Sequence, residues 1–400
     1  MPLDRIGASG KRSRASGFAL VPPPTLNSAF PTLIVADDLT GACDAAVAFA
    51  PRGLPARVTI DDRMEALGRT AVSAISTGSR QQSSEDAEFR LTSVARLAKG
   101  FPRIFKKIDS AWRGNTAREI ALSIRLFPAG LAILAPAYPA LGRTAKDGVI
   151  RIADLHGERT VDALGSLRAA GCPFTLISAG LSEASMAEQM KAAHSAPALF
   201  FCDALEQRNL EAAVRAANRL SQRVLWIGSG GLAHALAAAE PMRPEESTAR
   251  SRGLVLLFCG SDHPISVAQV DYLSSVPGVV LWSPGNPAPA NLSEAAAVLI
   301  PVTCGTTRKS DIADLAEQLR FSSIGCLFMT GGDTAALVCR ALAIEALDLQ
   351  REVQPGMPQG IACGGSFSGS TVILKSGGFG EAATIGKIVE QFGSLRGGSR

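Results

Sequence analysis

Two adjacent carboxylates, Asp37 and Asp38, follow the apolar run 33–36 and precede the small-residue turn Leu39-Thr40-Gly41-Ala42. A second polar cluster, Asp109-Ser110-Ala111-Trp112-Arg113-Gly114-Asn115, follows the run 104–108, which itself carries Lys106 and Lys107. A third, Pro136 through Thr144 and including Arg143, follows the run 132–135. Ligands of open α/β sheets sit beyond the carboxyl ends of the strands, so these three segments bring acids, hydroxyls and cations to one rim. Carboxylates accept hydroxyl protons, and guanidinium or ammonium groups pair with a carboxylate or phosphate; the mixture suits a small, polyhydroxylated anion. Plainer roles compete at each position. Asp37 and Asp38 can be a helix N-cap and a solvated neighbour. Lys106 and Lys107 alternate in facing along a strand, and Arg113 can pair with Glu119 on the next helix.

The second half of the chain offers glycines and hydroxyls instead. Cys259-Gly260-Ser261-Asp262-His263-Pro264 and Thr330-Gly331-Gly332-Asp333-Thr334 each follow a strand-like run and open a helix; Lys375-Ser376-Gly377-Gly378-Phe379-Gly380 is a third such turn. Backbone N–H groups and the dipole at a helix start hold anions. Three turns of this kind point to a nucleotide-phosphate site, although each glycine alone could serve only a tight turn. None fits the P-loop or the dinucleotide Gly-x-Gly-x-x-Gly pattern. Ser110 and Ser261 have no base at motif spacing, which leaves nucleophilic hydrolysis unsupported. His263 is either a nucleotide contact or a structural helix-start residue. His156, His194 and His234 have no partner identifiable from sequence.

These segments must be positioned by alternating strands and helices. Strands are expected at 33–36, 58–60, 72–76, 104–108, 132–135, 199–202 and 224–227, with helices at 84–99, 116–126, 182–194, 206–220 and 232–239. After a polar, proline-containing stretch at 240–252 the alternation resumes, with strands at 254–258, 279–282, 297–300 and 326–329 and helices at 265–274, 311–319 and 334–344. The expectation is an α/β protein of two domains, each with a mostly parallel sheet flanked by helices. Residues 1–29 are expected to form a flexible tail, 30–240 a sugar-acid substrate-binding domain, 241–253 a linker and 254–400 a nucleotide-binding domain.

The 400 residues are 46% apolar, ample for two cores. A net charge of +4 without a basic cluster beyond the first fifteen residues argues against nucleic acid. No uninterrupted apolar run reaches eighteen residues, so no membrane span is expected. The eight cysteines are scattered, without Cys-x-x-Cys pairs or zinc-ligand spacing, and read as buried thiols of a cytoplasmic protein.

The strings VADDLTGACDAA (35–46), KKIDSAWRGN (106–115), APAYPALGRT (135–144), TGGDTA (330–335), PGMPQG (355–360) and KSGGFG (375–380) occur in this order. Together, over about residues 32–392, the chain resembles the four-carbon acid sugar kinase family. The resemblance implies an N-terminal domain for a tetronate-type acid (erythronate, threonate or an oxo-tetronate), a C-terminal domain for ATP, and phosphorylation of the acid's terminal hydroxyl. It places Asp37, Asp38, Lys107, Asp109, Ser110, Arg113 and Arg143 on substrate positions. Ser261, Gly331, Gly332, Asp333, Thr334, Gly377 and Gly378 fall on nucleotide positions. Two departures stand out: Ala111-Trp112 where the family usually has Thr-Leu, and Gly260-Ser261-Asp262-His263 for its Gly-Ser-Cys-Ser-like turn.

The expected mechanism has Mg²⁺ bridging the phosphates held by the glycine turns, Arg113 or Lys107 anchoring the substrate carboxylate, and Asp38 as base, with Asp37 close behind. Asp333 is a candidate for ordering a metal or a ribose, and no metal ligand is fixed. Closure about residues 240–252 would bring the reactants together. The partners expected are a sugar acid and ATP, and a homodimer is compatible with the sequence. Two rival classes remain: a binder of sugar acid and nucleotide without catalysis, and a metal-dependent hydrolase or aldolase built on Asp37 and Asp38.

Overall fold

The computed structural model describes residues 31–60, 70–154, 157–192, 198–243 and 252–394. The expected tail, most of the expected linker, His156 and His194 lie outside the described residues.

The first lobe contains strands β1 (Thr32–Ala36), β2 (Ala56–Thr59), β3 (Val72–Ser76), β4 (Arg103–Lys107), β5 (Leu131–Ala135), β6 (Arg143–Lys146), β7 (Val149–Asp154), β8 (Gly157–Asp162), β9 (Thr175–Ile177), β10 (Ala198–Cys202) and β11 (Val224–Gly228). Its helices are α1 (Leu39–Ala46), α2 (Ser84–Ala95), α3 (Thr116–Leu126), α4 (Ala163–Ala169), α5 (Glu183–Lys191), α6 (Gln207–Asn218) and α7 (Gly230–Ala238). The second lobe has β12 (Leu254–Cys259), β13 (Val279–Leu281), β14 (Ala297–Pro301), β15 (Ile324–Thr330), β16 (Ala346–Gln354), β17 (Met357–Cys363) and β18 (Thr371–Lys375). Helices α8 (Pro264–Leu273), α9 (Lys309–Gln318), α10 (Gly332–Ala341) and α11 (Thr384–Phe392) accompany them.

In the first lobe β2-β3-β1-β4-β11-β5-β10-β9 lie side by side, all parallel. Helices cover both faces, so β1 and β5 are buried at every residue and read in the sequence as unbroken apolar runs. The second lobe is parallel through β13-β14-β12-β15-β18 and turns antiparallel at β17 and β16.

The α/β expectation holds, and two features go beyond it. The lobes share one fifteen-stranded sheet, because β16 pairs antiparallel with β2 from Ala346 opposite Thr59 to Leu349 opposite Ala56. Arg57 on β2 also forks onto Asp348 of β16, at 2.6 and 2.7 Å. A separate antiparallel sheet, β6-β7-β8, stands beside the first lobe. Its first turn is Asp147-Gly148, both at positive φ (53° and 72°), the signature of a two-residue hairpin. Asp203 accepts from both turn amides, at 2.7 and 3.0 Å. A second tight hairpin, Pro355-Gly356, joins β16 to β17.

A cleft between two lobes

The carboxyl ends of β1, β3 and β4 and those of β12, β15 and β18 open on a single cleft of about 1070 Å³ between the lobes. On the first-lobe wall, Asp38 caps α1: its Oδ1 accepts from the Gly41 amide at 2.7 Å and its Oδ2 from the Thr40 hydroxyl at 2.9 Å. It therefore fills the plain capping role while facing the cleft. Asp37, 4% exposed, has both oxygens taken by the Arg80 fork at 2.8 Å each. Burial pushes its carboxyl up, but the Arg80 charge and hydrogen bonds, with Lys106 and Lys107 behind, outweigh that and hold it below the usual range.

Arg80 is the hub of this wall. It also donates to Asp38 and lies 4.0 Å from Asp109. Burial works against its charge, yet the three aspartates keep it protonated. Sequence reasoning passed over Arg80, although it stands four residues beyond β3, where the strand-end rule points.

Asp109 accepts the guanidinium fork of Arg113 at 2.7 and 2.9 Å and the Arg113 amide at 3.0 Å. Burial raises the Asp109 carboxyl, and Arg113, Arg80 and Arg143 hold it well below the usual range nonetheless. Arg113 lines the cleft with its side chain about half exposed. Its partner is Asp109, not the alternative Glu119, which instead pairs with the fully buried Lys106 at 2.7 Å. Lys107 lies beneath the start of α1, 3.5 Å from Asp44 and donating to the Ile108 carbonyl at 3.0 Å. Lys107, Asp109, Ser110 and Arg143 thus stand behind the cleft lining; Arg143 donates to the Ser110 hydroxyl. Trp112 sits at φ 59°, a left-handed conformation costly for a bulky residue, and neither it nor Ala111 lines the cleft.

On the second-lobe wall the three glycine turns converge. A Cβ at Gly377 would overlap the Ser261 hydroxyl, one at Gly260 would overlap Thr334, and Gly331 is held at φ 99° at the start of α10. The amino ends of α8 and α10 both face the cleft, with His263 capping α8 through Nδ1 at 3.3 Å from the Ile265 amide. Ser261, Gly331, Gly332, Asp333, Thr334, Gly377 and Gly378 all line this side. Lys375, the last residue of β18, opens the third turn. It is fully buried and donates to the carbonyls of Ser376, Gly377 and Phe379 at 3.0 to 3.1 Å, which fixes the third turn. Burial lowers its ammonium to about 8, while Cys259 pulls the other way.

The walls meet at the acids. A Cβ at Gly332 would fall 2.7 Å from Asp38 Oδ2; Gln81 donates to Asp333 at 3.0 Å, and Ser376 and Thr40 hydroxyls lie 3.5 Å apart. Asp333 is raised by burial and then by the charge of Asp38 facing it, with Arg80 opposing. Among the described residues no cluster of three or more His, Cys, Asp or Glu forms a metal cage. Cys304 is exposed and Cys363 partly so; the other six thiols are buried as expected. Among the described residues, no helix is long and apolar enough to cross a membrane.

Fold and cleft define a two-lobed α/β protein in which a wall of aspartates and guanidinium groups faces a wall of glycine turns and helix amino ends. Two family models match separate parts of the chain. Residues 32–170 match the model of a sugar-binding N-terminal domain, and residues 278–385 that of a nucleotide-binding C-terminal domain. A D-threonate kinase of Cupriavidus necator is 32% identical over 404 residues, covering 88% of this chain and 96% of the relative. A D-threonate kinase of Bordetella bronchiseptica is 30% identical over 390 residues, covering 87% and 94%. A crystal structure from Salmonella typhimurium, of a protein provisionally called a tRNA synthase, covers 90% of this chain and 99% of its own. Its TM-score is 0.69, and at 19% identity the likeness is one of fold alone. The chain belongs to the four-carbon acid sugar kinase family, a family of phosphotransferases.

Proposed function

We propose that the protein transfers the γ-phosphoryl group of ATP to the terminal hydroxyl of a four-carbon sugar acid, D-threonate being the first acid to test. The observation that carries this reading is the meeting of the two walls: the amino end of α10, with its glycine turn, abuts Asp38 on the acid-handling lobe. A phosphate on that helix start would lie beside a hydroxyl held at Asp38.

Arg113, half exposed and lining the cleft, is better placed than the buried Lys107 to meet the substrate carboxylate, with Arg80 beside it. Asp38 is the base in preference to Asp37 because its Oδ2 faces the Gly332 end of α10, whereas Asp37 is forked onto Arg80 and turned away from that helix start. Three donors fix the orientation of the Asp38 carboxyl, which suits a residue that orients the hydroxyl and takes its proton as the phosphoryl group transfers. Asp38 and Asp333 face each other across the cleft, and the charge of Asp38 adds to burial in raising the Asp333 carboxyl; the two carboxylates are a donor set that fits Mg²⁺, which uses one or two carboxylates together with phosphate oxygens and water. Bound there, the ion would neutralise phosphate charge.

The test is ADP release with Mg-ATP across D-threonate, D-erythronate and oxo-tetronates, for the wild-type protein and Asp38→Asn. One acid should drive ADP release, and the variant should lose roughly 10²- to 10⁴-fold in kcat while still binding ATP. Nucleotide and acid binding without ADP release would overturn the kinase reading in favour of a binder without catalysis; a fully active variant would remove Asp38 from the base role.

A further inference from the structure

Phe379 belongs to the third glycine turn, yet its ring leaves the nucleotide wall and reaches the first lobe. The Arg143 guanidinium lies over the ring, 5.0 Å from its centroid. On another side the ring is pressed against Gly356, the tip of the β16–β17 hairpin, where a Cβ would overlap it. That tip cannot recede freely: Glu352 accepts from the Gly356 amide at 3.0 Å and is paired with His234 of the first lobe at 3.1 Å. The Phe379 main chain is tied to the phosphate-cradling turn, since its carbonyl accepts from Lys375 at 3.1 Å and Gln269 at 3.0 Å. Among the described residues, Ser110 is the one hydrogen-bond acceptor of the Arg143 guanidinium, and no carboxylate hydrogen-bonds to it.

We propose that Phe379 is a positioning residue that couples nucleotide binding to the acid-binding lobe through Arg143. A phosphate settling on Gly377 and Gly378 shifts or stiffens the turn. The ring, backed by Gly356 and the anchored hairpin, passes that restraint to Arg143 and so to Ser110 in the acid-binding segment. The consequence is positive coupling: each ligand binds better when the other is present, by the same factor. A single cation–π contact supports a factor of roughly two to thirty. This inference rests on the reading of the first lobe as the acid site.

The experiment measures, by titration calorimetry on the full-length protein, the affinity for the tightest-binding tetronate of the panel with and without a non-hydrolysable ATP analogue. The wild-type protein should bind the acid about two- to thirtyfold tighter with the analogue. Phe379→Leu, which keeps an apolar wedge and removes the ring face, should bring that ratio to about one while each ligand alone binds within about twofold of wild type. Gly356→Ala, which displaces the ring from its other side, should also alter the ratio and serves if the first variant fails to fold. A wild-type ratio of one, or an unchanged ratio in both variants, would overturn the coupling. Because the readout is binding, absence of ADP release would overturn the kinase reading alone. Absence of any tetronate binding would overturn the acid site and this inference with it.

Discussion

Arg80 shows how much one side chain decides at the residue scale. Its planar fork matches the Asp37 carboxylate while its other nitrogen reaches Asp38, a geometry that an ammonium cannot reproduce. Arg80→Lys should therefore raise the KM for the acid on the order of tenfold and leave the KM for ATP nearly unchanged in steady-state kinetics. An unchanged acid KM would mean that Arg80 serves only to satisfy the aspartates. Asp37 and Asp38 were legible in the sequence because they follow an apolar strand directly, and Arg113 because it stands in the charged cluster 109–115 after β4. Arg80 was not singled out because its loop carries no second charged residue, and its role depends on carboxylates 42 and 43 positions away.

At the scale of elements, the buried Lys106–Glu119 pair ties β4 to α3, and the Ser79 hydroxyl donates to Glu119 at 2.7 Å, fixing the loop that carries Arg80. With Lys106 fully buried and Glu119 at 3% exposure, removing one charge strands the other in a dry interior. Glu119→Gln should cost about 3 kcal/mol in chemical denaturation; a loss below about 1 kcal/mol would mean that solvent or another partner takes up the Lys106 charge. The parallel strands of both lobes were readable as apolar runs. The β6-β7-β8 sheet and the β16–β17 hairpin were not, because their strands are partly exposed and mixed in composition, and only the Asp147-Gly148 and Pro355-Gly356 turns announce them.

At the scale of the whole molecule the lobes are joined by the β2–β16 pairing, so closure about residues 240–252 would have to preserve or bend that shared sheet. The lobes are further joined by His234 and Glu352, a contact with Asp44, Tyr138 and Lys107 close by. Burial lowers the His234 imidazolium, but the Glu352 hydrogen bond and charge, and then Asp44, raise it above its ordinary value. A raised folded-state value means that this contact stabilises fully below pH about 6.5 and loses its contribution as pH rises through the folded value. Thermal melts of the wild-type protein should fall in Tm between pH 6 and 8 relative to His234→Gln; parallel curves would show that the pair adds no pH-dependent stability.

The sequence by itself determined the α/β alternation, the acid-bearing strand ends, the glycine turns and, through six ordered motifs, the family. Those properties are written locally: strand burial in contiguous apolar residues, tight turns in glycines at helix starts, and family membership in short strings. Tertiary structure alone decided that Arg113 serves Asp109, that Lys106 is structural, that Arg80 organises the acids and that Phe379 reaches Arg143. Each depends on which side chains meet across a sheet assembled from distant segments, and no local pattern encodes that meeting.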